Sequence, residues 1–313
     1  MLPQLLKHYL NDLFFSLFKD ELTIFISKDA ITLQRVKHRL FNRKLVENQR
    51  FFVTESLDLS THKAPWQAAL TLLASLLTQD KWRNTVAHVV LSNQFCHYVV
   101  VPWQSDITNQ AEQAAYTKHC FVSQFGDAAN HWHICSAEAS FEEPCVASAI
   151  GQPLIDALIK LLAVAGLPLK AIHPYLMMVT NKASKQIAAP QHAYWLVIAA
   201  DGRLLLSLIE HNAWQLVNNI ALNQDATTLA QQISISTQRE NVLLNRNAGV
   251  NNIKDTLLLH VPYLTPLESK TLLAQLTRTF HQVKLIPSTV NPFIQASNAP
   301  ATNPYTLKDK ARA

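Results

Sequence analysis

The chain has 313 residues, of which 49% are hydrophobic and only 16% charged, so it holds apolar material for more than one core and is no disordered polymer. A net charge of +5 is too small on its own to argue for nucleic acid, and no aromatic-studded basic motif accompanies it. The five glycines (Gly126, Gly151, Gly166, Gly202 and Gly249) are scattered, which excludes a Walker loop and a G-x-G-x-x-G turn, since both need clustered glycines to bring backbone N–H groups onto a phosphate.

Residues 2–18 place apolar side chains at helical spacing, with Leu6, Leu10, Leu13, Phe14 and Leu17 on a wide face and Lys7, His8, Asn11 and Asp12 off it. Two readings stay open for this amphipathic arm (1–20): a helix packed on the body of the protein, or an arm that docks on a partner or a membrane surface. It shows neither an early positive charge nor a small-residue cleavage site, so it is not read as a secretory signal. No run reaches the ~18 apolar residues of a membrane span. The four cysteines lack any C-x-x-C spacing and are read as free thiols in a reducing compartment. The expectation is a soluble, cytoplasmic protein.

"ELTIFISKDAITLQRV" (21–36) predicts two strands around Lys28-Asp29, and 50–57 a third. Residues 64–79 predict a helix with Pro65 in its first turn. Residues 85–103 predict a strand, a Ser92-Asn93 turn and a strand ended by Pro102. A helix over 107–126 is closed by Gly126, two strands follow at 131–137 and 145–151, and a helix over 152–169 ends at Gly166. Residues 170–186 are a short strand leading into a helix. "WLVIAADGRLLLSLIEHNAW" opens a second unit, with strands at 195–200, 203–209 and 216–221. A helix over 226–245 takes Asp225 as its N-cap. A strand over 255–264 precedes a helix over 265–280 with a capping box of Thr265, Pro266 and Glu268, and 281–287 close the unit. The remainder, with Pro292, Pro300 and Pro304, reads as an irregular tail over 287–313. Each half therefore runs strand, strand, strand, helix, strand, which implies two related α/β lobes, 21–186 and 187–286.

That doubled order resembles the actin-like (ribonuclease H-like) ATPase fold, with mixed sheets flanked by helices. Within it the chain is similar to the PilM-type cytoplasmic proteins of type IV pilus assembly, to the cytoplasmic domain of GspL-type secretion proteins and to MshI-type proteins. "VVLSNQFCHYVVVPW" (89–103), "ITNQAEQAAYTKHCFVSQFG" (107–126) and "LLAVAGLPLKAIHPYLMMVTN" (161–181) carry the local resemblance. The resemblance implies two strand–turn–strand phosphate loops, each with an acidic residue, a nearby glycine and a hydroxyl. At the first, Ser27-Lys28-Asp29-Ala30 has no glycine, although Asp29 and Thr32 remain as oxygen donors for a hydrated metal. At the second, Asp201 and Gly202 are adjacent rather than separated by one residue, and Leu204 and Leu205 stand where the hydroxyl belongs. Asp-Gly between apolar runs reads as a plain type I′ hairpin. The turn after "TLLLHVPYL", at Thr265-Pro266, lacks the adenine-side glycines. The fold is expected to be kept and hydrolysis lost, with Asp29, Asp201 and Gly202 as vestiges and no cofactor.

Other clusters are weaker. His131, His133 and Cys135 share one strand face by period two, but no fourth zinc ligand accompanies them, so no metal site is read. Glu142-Glu143 reads as a solvated turn. Arg35, Lys37 and Arg39 share one strand face, either as a solvated hairpin or as a contact with anionic lipid or an acidic partner. The resulting expectation is a non-catalytic scaffold of a type IV pilus or type II secretion-like assembly. It would sit at the inner face of the inner membrane, link membrane-anchored components and bind no nucleic acid. The alternative is an active actin-like or sugar-kinase-like ATPase that uses Asp29 and Asp201 on Mg-ATP.

Overall fold

The structure, a computed structural model, describes residues 19–39, 42–53, 64–137, 142–184, 193–222, 228–244, 246, 256–262 and 264–286. The arm face (Leu6, Leu10, Leu13, Phe14, Leu17) and the C-terminal tail lie outside these residues, as do Asp225 and residues 54–57 of the predicted 50–57 strand.

The chain begins with β1 (Asp20–Ile26), β2 (Ala30–Arg39), β3 (Asn42–Phe52), α1 (Gln67–Leu77) and β4 (Thr85–Leu91). Next come β5 (Cys96–Val101), α2 (Gln110–Phe125), β6 (Trp132–Ser136) and β7 (Cys145–Gly151). Then follow α3 (Gln152–Val164), β8 (Leu169–Pro174) and α4 (Tyr175–Ala183). The last group is β9 (Tyr194–Ala200), β10 (Arg203–Glu210), β11 (Ala213–Ala221), α5 (Leu229–Leu243), β12 (Thr256–His260), α6 (Pro266–Leu276) and β13 (Gln282–Leu285).

These elements form two compact units. The described residues up to Phe95, with Gly151–Pro174, make one, and those of 96–150 and 175–286 make the other. The first holds a five-stranded sheet in the order β3-β2-β1-β4-β8. Its β1–β2 and β2–β3 pairs are antiparallel, and its β1–β4 and β4–β8 pairs are parallel. The second holds β11-β10-β9-β12-β13 with the same orientations, place for place. Each sheet is mixed: a hairpin meander fills one side, and parallel strands reached by helical crossovers fill the other.

Local chemistry explains most boundaries. α3 stops in a Schellman motif: Gly166, at φ +68°, donates to Ala163 O at 3.0 Å and Leu167 to Leu162 O at 2.9 Å. α2 is capped by Asn109, which accepts from Glu112 N at 3.0 Å, and is followed by Gly126 at φ +70°. α6 carries the expected Thr265–Glu268 capping box.

Several expectations need correcting. α5 starts three residues later than read, with Thr228 as N-cap in a box with Gln231, because a Thr with Gln at N3 satisfies two backbone donors at once. Pro65 lies two residues before α1 rather than in its first turn. The third strand begins at Asn42, well before 50; exposed Lys44, Val46, Asn48, Arg50 and Phe52 alternate with half-buried Leu45, Glu47, Gln49 and Phe51, and that alternation of exposure is a strand pattern. β4 and β5 flank a turn as expected, but they belong to different sheets.

The second sheet buries one face, with Trp195, Val197, Leu204, Leu206, Leu208, Leu257 and Leu259, beneath Ile233 of α5 and Leu272 and Leu276 of α6. Those sheet positions are two apart on each strand, as a covered face requires. In the same unit β5, β7 and β6 form a three-stranded sheet, in that order. Val99, Val101, Ala147 and Ala149 on it pack with Phe121 of α2.

Candidate functional site

The two β-meanders each open with a hairpin, and these turns are where the resemblance implies phosphate loops. In the first, Ser27 is fully buried and bridges its own turn. Its backbone N–H donates to Ala30 O at 2.9 Å, while its hydroxyl accepts from Ala30 N at 3.0 Å and donates to Ala30 O at 3.1 Å. The Lys28 N–H donates to Gln94 Oε1 at 2.9 Å. Three of the turn's backbone donors are therefore engaged by protein acceptors. Asp29 is exposed. Thr32, three residues on, is buried, and its hydroxyl has no hydrogen-bond partner.

The second turn is the type I′ hairpin expected of Asp-Gly, with Asp201 at φ +50° and Gly202 at φ +70° and Ala200 opposite Arg203. The Gly202 carbonyl accepts from Leu222 N at 2.9 Å, which ties β11 back to the turn. Arg203, first residue of β10, donates from Nε to Asn219 Oδ1 at 3.0 Å and from Nη2 to the Asn219 carbonyl. Asn219 Nδ2 in turn donates to the Cys96 carbonyl at 3.2 Å, joining β11 to the start of β5.

Beside this link stands an aromatic group that sequence reading missed. His97 stacks on Trp132 with centroids 4.0 Å apart and planes 5° off parallel. Phe125 meets both edge-on, at 5.1 and 5.3 Å. All three rings are half-buried. Burial lowers the His97 pKa, and the Arg203 charge lowers it further. No local pattern announces this group, because its members come from residue 97 to residue 219.

A second unforeseen network is buried. His260, at the end of β12, faces the Ile286 carbonyl through Nδ1 at 3.1 Å and the Tyr175 hydroxyl through Nε2 at 2.6 Å. A carbonyl only accepts, so Nδ1 carries the proton and Nε2 accepts from tyrosine. Burial drives the His260 pKa down to about 4. The pair fastens α4 to the second sheet.

The remaining sequence candidates are placed as follows. Arg35 is held by Asp20, at 2.7 Å from Nε and 2.6 Å from Nη2, and its Nη1 donates to the Lys81 carbonyl, so its charge is compensated within the sheet. Lys37 is exposed on the same strand, opposite Lys44. Arg39 ends β2. His131 ends a 3₁₀ helix (Gly126–His131), so it does not share the β6 face with His133 and Cys135 as expected; the strand starts only at Trp132. His133 Nε2 lies 3.4 Å from Cys135 Sγ, and burial pushes that thiol up to about 12. Among the described residues no three metal-ligating side chains converge.

No family model matches the chain, and no curated protein matches its sequence. Solved structures do match. One is a Bacteroides thetaiotaomicron protein described as having an actin-like ATPase fold and unknown function, with TM-score 0.57 and 10% identity, covering 90% of this chain and 96% of that one. The chain has the actin-like fold. A chain of the PilM–PilN type IV pilus biogenesis complex matches at TM-score 0.57 and 14% identity, over 88% of this chain and 89% of that one. The cytoplasmic domain of EpsL, an inner-membrane component of the Vibrio cholerae type II secretion system, matches at 0.50 and 12%, over 90% and 96%. Identities this low carry the actin-like architecture alone.

Proposed function

We propose that the chain is a non-catalytic scaffold of a type IV pilus or type II secretion-like assembly, held at the inner face of the inner membrane by membrane-anchored partners. The fold shared with PilM and with the EpsL cytoplasmic domain supports the setting. Among the described residues no helix is long and apolar enough to cross a membrane.

The observation that carries the non-catalytic reading is the state of the first turn. Its N–H groups at Ser27, Lys28 and Ala30 are engaged by Ala30 O, Gln94 Oε1 and Ser27 Oγ, and it holds no glycine to bring backbone onto an anion. The second turn supports the same reading, with leucines at the hydroxyl positions.

Calorimetric titration with Mg-ATP tests it. The expected result is no heat of binding through the high micromolar range. Micromolar binding that Asp201→Ala abolishes would sink the scaffold-only reading in favour of the ATPase alternative. The setting is tested by sedimentation with inner-membrane vesicles: the chain should bind native vesicles and be lost from vesicles stripped by protease.

A further inference from the structure

Among the described residues three arginines are half-buried, and two of them have a carboxylate. Arg35 has Asp20, and Arg246 has Glu210 at 2.8 Å. Arg203 has none among the described residues; its bonds go to the neutral Asn219. Burial lowers its pKa. A guanidinium left in that state gains from any anion that reaches it. Asn219, which holds Arg203, also donates to the Cys96 carbonyl at 3.2 Å, and the next residue, His97, begins the ring wall with Trp132 and Phe125. The residue opposite His97 on the intervening strand β7 is Ala149, small enough for the rings to meet across it.

We propose that Arg203 and the His97–Trp132–Phe125 wall form a docking site for an acidic segment of a partner protein, with a carboxylate on the guanidinium and an apolar side chain against the rings. Free phosphate would leave the wall unused, whereas an acidic segment with interleaved apolar residues uses both halves. Tryptophan and arginine are also among the residue types that dominate binding energy at protein interfaces. The net charge of +5 favours an acidic partner at long range. The site rests on the reading of the chain as a docking scaffold, but it names the site and not the assembly.

The test is an NMR titration of the His97 imidazole with the end-blocked pentapeptide Asp-Leu-Asp-Phe-Asp. Saturable binding should raise the His97 pKa, because the bound carboxylate offsets Arg203. Arg203→Gln should weaken binding about tenfold and Arg203→Lys less, since lysine keeps the charge and loses the fork. Trp132→Ala should also weaken it about tenfold. Three results would overturn the proposal: a silent His97 through the millimolar range, a folded Arg203→Gln protein that binds like the parent, or equal responses to inorganic phosphate or to phosphatidylglycerol vesicles. If Mg-ATP binds in calorimetry while the peptide behaves as expected, the non-catalytic reading falls and the docking site stands.

Discussion

The two five-stranded sheets share a strand order and differ in what fills them. In the first, Thr23, Thr32 and Gln34 are buried on one face, paired as Thr23 with Gln34 and Thr32 with Phe25. In the second, the matching strands are buried almost entirely in apolar side chains, and Tyr194–Ala200 is buried at every position. The same topology is therefore held once by a partly polar face and once by a dry one. Strand order and crossovers define the architecture, while the filling is free to vary so long as volume and pattern are kept.

The contrast is sharpest under substitution. Trp195, fully buried among Leu208 and Leu257, should cost about 3–5 kcal/mol when changed to alanine, read as a lower midpoint in guanidinium denaturation. Gln34→Leu in the first sheet should cost under ~1 kcal/mol, because the lost Nε2 donation to Asn48 Oδ1 at 3.2 Å is offset by removal of the side-chain carbonyl, which is buried without a partner. A large loss at Gln34 would show that the polar face of the first sheet is structurally required.

That difference also sets what was legible beforehand. Periodicity exposed nearly every strand of both sheets, and the capping box at Thr265 and the glycines Gly126 and Gly166 gave helix ends, because these signals are local. Only the end of β3 was read, from Arg50 on, because the polar run from Asn42 to Gln49 offers few apolar residues to show a period of two. The N-cap of α5 was misread because Asp225 and Thr228 are both good caps, and only Gln231 distinguishes them. The two turns were correctly located. What they engage was not legible, since Gln94 and Asn219 approach from distant parts of the chain. The Arg203–His97–Trp132 group was invisible for the same reason.

Each sheet also carries one histidine kept neutral by burial, and the two differ in support. His173 on β8 stacks on His88 at 6.0 Å; burial, and then the His88 charge, lowers its pKa to about 4. His260 also lies at about 4, but it has two hydrogen bonds. Between pH 6.5 and 4 the unfolded chain binds protons that the folded chain refuses, so stability falls as pH falls through that window and is unaffected above it. Each histidine should contribute a slope of about 1.2 kcal/mol per pH unit near pH 5, on the order of 3 kcal/mol across the window. His173→Gln should remove one share of the slope in urea titrations at pH 7, 6 and 5. His260→Gln should remove the other share but lower stability at pH 7 as well, because the Tyr175–His260 hydrogen bond is lost. Equal stability of the two variants at pH 7 would mean that the Tyr175–His260 link contributes nothing.

Small effects are also expected at the two opening turns, and they differ in kind. The second turn needs left-handed backbone at Asp201 and Gly202, so Gly202→Ala should cost about 1–2 kcal/mol through backbone strain alone. The first turn uses no left-handed residue from Ser27 to Ala30 and is closed by the Ser27 hydroxyl instead. Ser27→Ala should therefore cost about 1 kcal/mol by leaving the Ala30 N–H without its acceptor, and Ala30→Gly less than that. Thermal midpoints of the three variants separate these cases. If Gly202→Ala were neutral and Ser27→Ala severe, the burden of turn closure would lie wholly on the first sheet, and the second hairpin would be held by its apolar strands rather than by its turn.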